Sequence, residues 1–482
     1  MEERFDLVVI GAGPAGEKGA AQAAYFGKRV SVVERSPVPG GTPATTGGIP
    51  TKTIREAALY LTGFRRREIY GVGLDLPSEI SLRRIRERAE DIVRLATDTV
   101  RENLDRHGID LVQGEARLGP DRSVIVDGQR KRVLKGEVVL IATGSRPFRP
   151  STVPFDDQDV DDSESILELD ALPRSLVVVG GGPVGCEYAS LGAALGVEVT
   201  LIDAGDRLLP FMDAEISGLL AKAFAEIGIR LELGQGVATI GRQGGELAVT
   251  LAHGEIVRPD RVLFAAGRAG NTEGLGLAEV GVEVDARGRI VVDEHYRTSA
   301  EGIYAAGDVI GPPALASVSM EQGRVAICHA FGIPFKETVD PLAPYGVYSI
   351  PEVGMVGTTE DAAAAAGVEY EVGRGWFAQN TRARIAGTTD GLVKLVFRRD
   401  DRMLLGAHVM GDIAGELVHV AQAVLHGGGT IDRFIHTTFN VPTYAEAFKY
   451  AAYDGLQRLE GLPARAPQQL LNQFPDGGET RR

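Results

Sequence analysis

Cysteine is nearly missing from this chain. Two occur in 482 residues, Cys186 and Cys328, far apart and in no metal or redox spacing. That argues against a secreted disulfide framework and against a thiolate metal site. The eight histidines show no ligand spacing either, so no metal is expected. Positive charge is also short. The formal net charge is −15, against the basic face that a nucleic-acid partner requires. No uninterrupted apolar run approaches the roughly 20 residues of a membrane span. The opening Met1-Glu2-Glu3-Arg4 leads into an apolar run, 7–10, too short and too acidic at its start for a signal peptide. A cytoplasmic protein with no nucleic-acid or membrane partner is expected.

What is present describes a globular protein with a sizeable core: 44% hydrophobic residues and a length suited to about three domains. Apolar runs rich in β-branched residues, each read as a buried strand, fall at 7–10, 30–33, 138–142, 176–179, 197–202 and 262–266. Strands alternating with helical pattern imply parallel sheets with βαβ crossovers. A long amphipathic helix is expected at about 81–107. Its Ile85, Ala89, Ile92, Ala96, Val100 and Leu104 recur every three or four positions, and Gly108 stops it. From about Tyr345 the pattern changes to strands such as 392–397 and 404–409 followed by helices, an α+β domain. The stretch 462–482, rich in Pro, Gln, Gly and Arg, reads as a mobile tail.

Two glycine-rich units are the internal repetition: Gly11-Ala12-Gly13-Pro14-Ala15-Gly16 and Gly180-Gly181-Gly182-Pro183-Val184-Gly185. Each follows a predicted strand and opens an Ala-rich helix. Each also has an acid at the same offset, Gly11 to Glu34 and Gly180 to Asp203, 23 residues in both. This is the dinucleotide fingerprint: glycines for the tight turn, for close approach of backbone to pyrophosphate and for helix–strand packing, with the acid on the adenosine ribose. The helix N-terminus then offers unpaired N–H groups to the phosphates. The fold class is α/β, with two Rossmann-like domains and an α+β C-terminal domain.

The segment Gly40-Gly41-Thr42-Pro43-Ala44-Thr45-Thr46-Gly47-Gly48-Ile49-Pro50-Thr51-Lys52 resembles the redox-active segment of the FAD-dependent pyridine nucleotide-disulfide oxidoreductases, the lipoamide dehydrogenase and glutathione reductase family. That segment reads roughly G-G-x-C-x-x-x-x-C-I-P-S-K, and here Pro43 and Gly48 stand at the cysteine positions. Neither can form a disulfide or carry electrons. Other runs carry the same resemblance over nearly the whole chain. Ala142-Thr143-Gly144-Ser145-Arg146-Pro147 is similar to the turn that packs beside FAD. Ile303-Tyr304-Ala305-Ala306-Gly307-Asp308 is similar to the second flavin motif, and Gly267-Arg268 to the close of the nicotinamide domain. The resemblance implies FAD at the first fingerprint and a nicotinamide nucleotide at the second. It puts Gly11, Gly13, Gly16, Glu34, Arg35, Gly41, Thr42, Lys52, Ala116, Thr143, Gly144, Asp308, Ala316, Gly180, Gly182, Gly185, Asp203 and Gly267 at cofactor-binding positions. The domains implied are 1–150 with 275–344 for FAD, 151–274 for NAD(P), and 345–461 for homodimerisation.

Lys52 and Glu187 stand where the family places a lysine beside flavin N5 and its carboxylate partner, so the resemblance makes them the catalytic pair. Phe439-Asn440-Val441-Pro442-Thr443-Tyr444-Ala445-Glu446 aligns with the H-P-T-x-x-E segment that protonates a thiolate in disulfide reductases, with Val441 at the histidine position. Asp162-Ser163-Glu164-Ser165-Ile166-Leu167 and Gly185-Cys186-Glu187-Tyr188-Ala189-Ser190 are similar to the soluble, Si-specific NAD(P) transhydrogenase branch. That branch implies hydride transfer between NAD(P)H and NAD(P)+ through the flavin. The carboxylate of Asp203 favours NAD(H), with Arg207 as the nearest residue able to accommodate a 2′-phosphate. Two alternatives stay open: an FAD-dependent NAD(P)H dehydrogenase serving a quinone or dye, and a non-catalytic flavoprotein sensor.

Overall fold

A computed structural model describes residues 2–63, 82–155 and 158–461, so the tail expected over 462–482 lies outside the described residues. The described residues fall into two compact units. One is drawn from Met1–Ala57, Ser81–Leu172 and Leu263–Pro341, the other from Ala58–Ile80, Pro173–Val262 and Leu342–Arg482.

In the first unit the strand Glu2–Ile10 lies between two parallel neighbours. Leu7 to Ile10 pair with Val30 to Val33 on one side, and Glu2 to Ile10 run beside Val133 to Ile141 on the other. Asp110–Gln113 extends the sheet beyond Val30–Glu34, and Ile303–Ala305 adds to Arg132–Ile141, both in parallel. The apolar run has no polar alternation because both faces are covered. Val8 and Ile10 point into one core with Leu118, Val124 and Leu134, while Leu7 and Val9 point into another with Ala15, Ala20 and Leu104. The helix Leu82–Arg106 matches the expected amphipathic stretch, with Ile85, Ala89 and Leu104 buried. An antiparallel pair, Glu115–Leu118 with Ser123–Asp127, also joins this sheet; the parallel βαβ reading did not include it.

The helices Pro14–Tyr25 and Ala316–Ala330 meet backbone to backbone. A Cβ at Gly323 would sit 2.2 Å from the Ala15 carbonyl oxygen, and one at Gly19 3.2 Å from that of Gly323. Glycine at the crossing therefore fixes how near the second helix comes to the first fingerprint.

The second unit repeats the βαβ arrangement on a smaller scale. Ser175–Val179, Glu198–Asp203 and Arg230–Leu233 are parallel neighbours, with helices Pro183–Ala194 and Ala214–Glu226 between them in sequence. Val237–Gln243 and Glu246–Leu251 form a hairpin. Gly244 and Gly245 turn it with φ of 64° and 90°, the left-handed pair that a two-residue hairpin needs. The C-terminal part is a five-stranded antiparallel sheet in the order Tyr345–Val347, Val353–Gly357, Leu404–Met410, Leu392–Arg398, Tyr370–Trp376.

The helix Glu446–Leu459 lies directly on the last of these strands. Gly373 and Gly375, two apart and so on one face, leave room for it: Cβ atoms there would lie 2.0 Å from the Ala451 oxygen and 2.1 Å from the Ala447 oxygen. Gly375→Ala forces helix and strand apart. We expect it to lower the unfolding free energy by about 1–3 kcal/mol in denaturant titration; an unchanged midpoint would mean that the helix does not sit at backbone distance.

Candidate active site

The two fingerprints fold into the same device. Gly11 has φ of 103°, and a Cβ there would lie 2.4 Å from the Ala142 oxygen; Gly16 closes on the turn, its Cβ position 1.9 Å from the Gly11 oxygen. In the second unit Gly180 has φ of 119°, and a Cβ at Gly185 would lie 1.8 Å from the Gly180 oxygen. The middle glycines differ in kind. A Cβ at Gly182 meets no described atom within 4 Å, and one at Gly13 meets only the Gly41 Cα, at 3.7 Å. These two face open space, where their bareness serves a ligand and not the packing.

Gly13 and Gly182 are the N-caps of the helices Pro14–Tyr25 and Pro183–Ala194. Neither helix start has a side-chain cap, and both carry proline in the first turn. The first-turn N–H groups are thus left for an external acceptor, and the helix dipole favours an anion there.

The carboxylates close both turns in parallel fashion. Glu34 Oε2 accepts from Ala12 N–H at 2.7 Å and Oε1 from Ser36 N–H at 2.8 Å. Asp203 Oδ2 accepts from Gly181 N–H, and Oδ1 from Gly205 N–H at 2.6 Å. Each acid ties the residue after the first glycine to the end of the second strand, and each oxygen keeps a further lone pair able to accept. Arg35, beside Glu34, is exposed. Arg207 does not turn to Asp203: its guanidinium donates to Asp361 at 3.1 Å and to the Pro210 carbonyl at 2.8 Å.

Around the first fingerprint the chain supplies more of a cradle. Gly41, with φ of 64°, opens the short helix Gly41–Thr45 that carries Thr42, and a Cβ there would lie 2.9 Å from the Gly13 Cα. Any larger residue at 41 would fill the approach to the helix start. Thr143 Oγ1 donates to the Asn271 carbonyl at 2.7 Å, and Asn271 N–H donates to the Gly144 carbonyl at 3.0 Å. Gly267 lies beside them through Phe148 N–H, which donates to its carbonyl at 3.1 Å. Asp308 accepts from Ser145 Oγ at 3.0 Å, and Arg268 Nε donates to the same hydroxyl oxygen at 2.7 Å. A Cβ at Gly307 would lie 3.0 Å from Ala15 Cβ, which puts Asp308 next to the fingerprint helix. Ala316 begins the helix Ala316–Ala330, whose N-cap Leu315 offers no side-chain acceptor. Ala116 sits in the strand Glu115–Leu118. These groups fit FAD: an uncapped helix start, bare glycines at close approach, and a carboxylate at each end of the cradle.

Lys52 lies in the helix Ile49–Thr62, its Nζ donating to the Gly47 carbonyl at 3.3 Å and to Thr51 Oγ1 at 3.4 Å. Glu187, in the other compact unit, accepts from Tyr348 N–H at 2.9 Å. Pro43 and Gly48 pack on each other: a Cβ at 48 would lie 2.3 Å from the Pro43 oxygen and 2.6 Å from its Cα. Cys186 and Cys328 are buried free thiols; burial pushes both pKa values up and keeps them protonated. His436 is exposed at the end of Asp432–His436, and Glu446 opens the next helix.

Reasoning on the sequence missed a polar knot beside this site. Asp162, buried, accepts from the N–H groups of Glu164 and Ser165 at 2.7 and 3.0 Å and from Arg149 Nε at 2.7 Å. Burial raises the pKa of the adjacent Glu164 carboxyl. The D-S-E-S run was the signal, since an aspartate that accepts from N–H groups two and three residues on makes a local turn.

With the geometry in place, comparison with known proteins defines the class. Residues 5–323 match the family described as pyridine nucleotide-disulphide oxidoreductase, and residues 343–452 its dimerisation domain. The chain belongs to that family. Among its relatives are the soluble pyridine nucleotide transhydrogenases of Mycobacterium tuberculosis, 42% identical over 461 residues (95% of this chain, 98% of that one), and of Hahella chejuensis, 40% identical over 463 residues (95% and 99%). Among solved structures, LpdA of M. tuberculosis is similar with TM-score 0.85 and 29% identity, covering 94% of this chain and 99% of that one. The HOCl-induced flavoprotein disulfide reductase RclA of Escherichia coli is similar with TM-score 0.83 and 28% identity, covering 93% and 99%.

The contact between Pro43 and Gly48 makes a prediction. A Pro43→Cys/Gly48→Cys variant has no space for a sulfur at 48, and we expect no reducible disulfide by thiol titration of the flavin-loaded protein before and after dithionite. Release of two thiols on reduction would show that the segment can open.

Proposed function

We propose that this protein transfers hydride between nicotinamide nucleotides through FAD, without disulfide chemistry, as a homodimer built through its C-terminal domain. The observation that carries the reading is the duplicated carboxylate–glycine device in a chain with no side chain able to do redox work at 43 or 48. Bound there, FAD would supply a two-electron carrier between reduced and oxidised nucleotides. The protein's part is to bind and to orient. Gly11, Gly13, Gly16, Glu34, Arg35, Gly41, Thr42, Lys52, Ala116, Thr143, Gly144, Asp308 and Ala316 would hold FAD. Gly180, Gly182, Gly185, Asp203 and Gly267 would hold the nicotinamide nucleotide.

Lys52 is assigned to supply positive charge where negative charge develops on reduction, and Glu187 to be its countercharge. The FAD domain is assigned to 1–150 and 275–344, the nucleotide domain to 151–274 and the dimer domain to 345–461. No helix of the described residues is long and apolar enough to cross a membrane. We infer a cytoplasmic location from that, the acidic composition and the named soluble relatives.

NAD(H) is the better fit at the second site. Asp203 would repel a 2′-phosphate, and Arg207, the residue that might have offset this, is engaged with Asp361. In anaerobic rapid mixing, NADH should bleach the flavin band faster than NADPH, and thio-NAD+ should reoxidise the enzyme faster than quinones or oxygen. Reoxidation by quinones but not by nucleotide analogues would sink this reading in favour of the dehydrogenase alternative. Asp203→Asn should narrow the NADH/NADPH gap by about 1–2 kcal/mol, the scale of one hydrogen bond to a charged group. Asparagine satisfies only one of the two tied N–H groups, so NADH binding should weaken as well.

A further inference from the structure

In the second unit a charged cluster is buried at the seam between the helix Ala214–Glu226 and the C-terminal sheet. Lys394, 1% exposed, sits in the strand Leu392–Arg398, otherwise apolar up to Phe397. Its ammonium donates to both oxygens of Asp213 at 2.8 and 3.0 Å and to Glu360 at 2.5 Å, and lies 3.0 Å from Glu215. Two bonds to Asp213 and one to Glu360 use all three N–H donors of the ammonium, and Glu215 adds a third negative charge beside it. Arg374, directly opposite Lys394 on the neighbouring strand, holds Glu215 with two bonds at 2.7 and 2.8 Å. His408, opposite on the other side, is buried and donates from Nε2–H to the Thr358 carbonyl at 3.1 Å. Burial opposes ionisation of both Asp213 and Lys394, yet pairing holds the carboxyl below its usual range and the ammonium above.

Buried ion pairs are weak stabilisers but strict about position. What this one positions is Asp213, wholly buried, the N-cap of the helix Ala214–Glu226 and the last residue of the loop that begins after Asp203. The loop is tied along its length. Leu209, with φ of 47°, donates N–H to the Gly181 carbonyl of the fingerprint at 2.9 Å, and Met212 N–H donates to the Leu209 carbonyl at 2.8 Å. Leu208, Leu209 and Met212 are buried. The loop's own guanidinium, Arg207, is held away from the ribose carboxylate by Asp361, the neighbour in sequence of the Lys394 ligand Glu360.

We propose that Lys394 is a positioning residue for nucleotide choice. By anchoring Asp213 it holds the 204–213 loop in the one arrangement in which Arg207 is engaged elsewhere, and so enforces preference for a nucleotide with a free ribose 2′-hydroxyl. This rests on the reading of the second fingerprint as a nicotinamide nucleotide site. Freed from the anchor, the loop lets Arg207 reach a 2′-phosphate, and the preference falls.

The test is calorimetric titration of ADP-ribose and 2′-phospho-ADP-ribose into flavin-loaded enzyme. Wild type should prefer ADP-ribose. Lys394→Met should cut that preference roughly tenfold, the scale of a single engaged charge contact. Because this variant strands a buried carboxylate, Lys394→Met/Asp213→Asn is the companion: asparagine still caps the helix and no wholly buried charge is left unpaired. Glu360 also loses the ammonium but is part-exposed and keeps the Tyr370 hydroxyl, so the double variant should melt nearer wild type than Lys394→Met yet keep the reduced preference, and adding Arg207→Ala should remove the gained affinity for the 2′-phosphate. A purely structural role predicts recovered stability together with wild-type preference, and that result overturns the proposal. If wild type binds neither ligand, the nucleotide-site reading itself fails.

Discussion

A carboxylate at the end of the second strand, bonded to the backbone of the glycine turn, is the constraint on which both nucleotide sites depend. A turn made of glycine has no side chains to hold its shape, and its conformational freedom is the largest of any residue. Glu34 and Asp203 supply what the turn lacks. Each receives two backbone N–H groups, from the residue after the first glycine and from the residue two beyond the acid. Charge-assisted bonds of this kind are worth about 1.5–3 kcal/mol each, enough to hold a short loop against its entropy. The oxygens proposed to receive ribose hydroxyls therefore also hold the shape of the turn.

The remaining elements add proximity. Glycine at 16 and at 185 lets each helix start against the turn, and glycine at 19 and 323 lets the helix Ala316–Ala330 approach the first fingerprint helix at backbone distance. Asp308 is placed by that approach and then fixed by Ser145, whose hydroxyl is itself held by Arg268. A hydroxyl that accepts from a guanidinium must point its proton elsewhere, and here it points at the carboxylate. The orientation of Asp308 thus follows from a hydrogen bond between two residues, Arg268 and Ser145, that lie 123 apart in sequence.

Much of this was legible in the sequence. The 23-residue offset from first glycine to acid located both devices, and unbroken runs such as 7–10 announced strands covered on both faces. What local pattern could not show was partnership across long separations. Arg207 looked like a free neighbour of Asp203, but its partner Asp361 lies 154 positions on. Lys394 is one polar residue in an otherwise apolar strand and drew no reading from the sequence; its partner Asp213 lies 181 positions back. The second role of Glu34 and Asp203 as ties for their own turns was also invisible, because spacing reports that an acid is near the ribose and not what else it bonds. The glycine pair at 244 and 245 was a readable hairpin signal that went unused.

Loss of the two redox cysteines reads differently in three dimensions than in one. Substitution alone would leave a space where sulfur once fitted, open to an acceptor. Instead the Pro43 backbone stands where any side chain at 48 would begin, 2.3 Å from the nearest atom. The dithiol route is closed by packing as well as by chemistry. The two thiols the chain does have are buried and kept protonated, one in each compact unit, with Sγ atoms engaged by the Gly181 carbonyl and by Gln22. Thiol exchange needs an accessible thiolate, and neither offers one. With both thiols shut away, the hydride exchange between nicotinamide nucleotides proposed for this chain is a reaction that needs none.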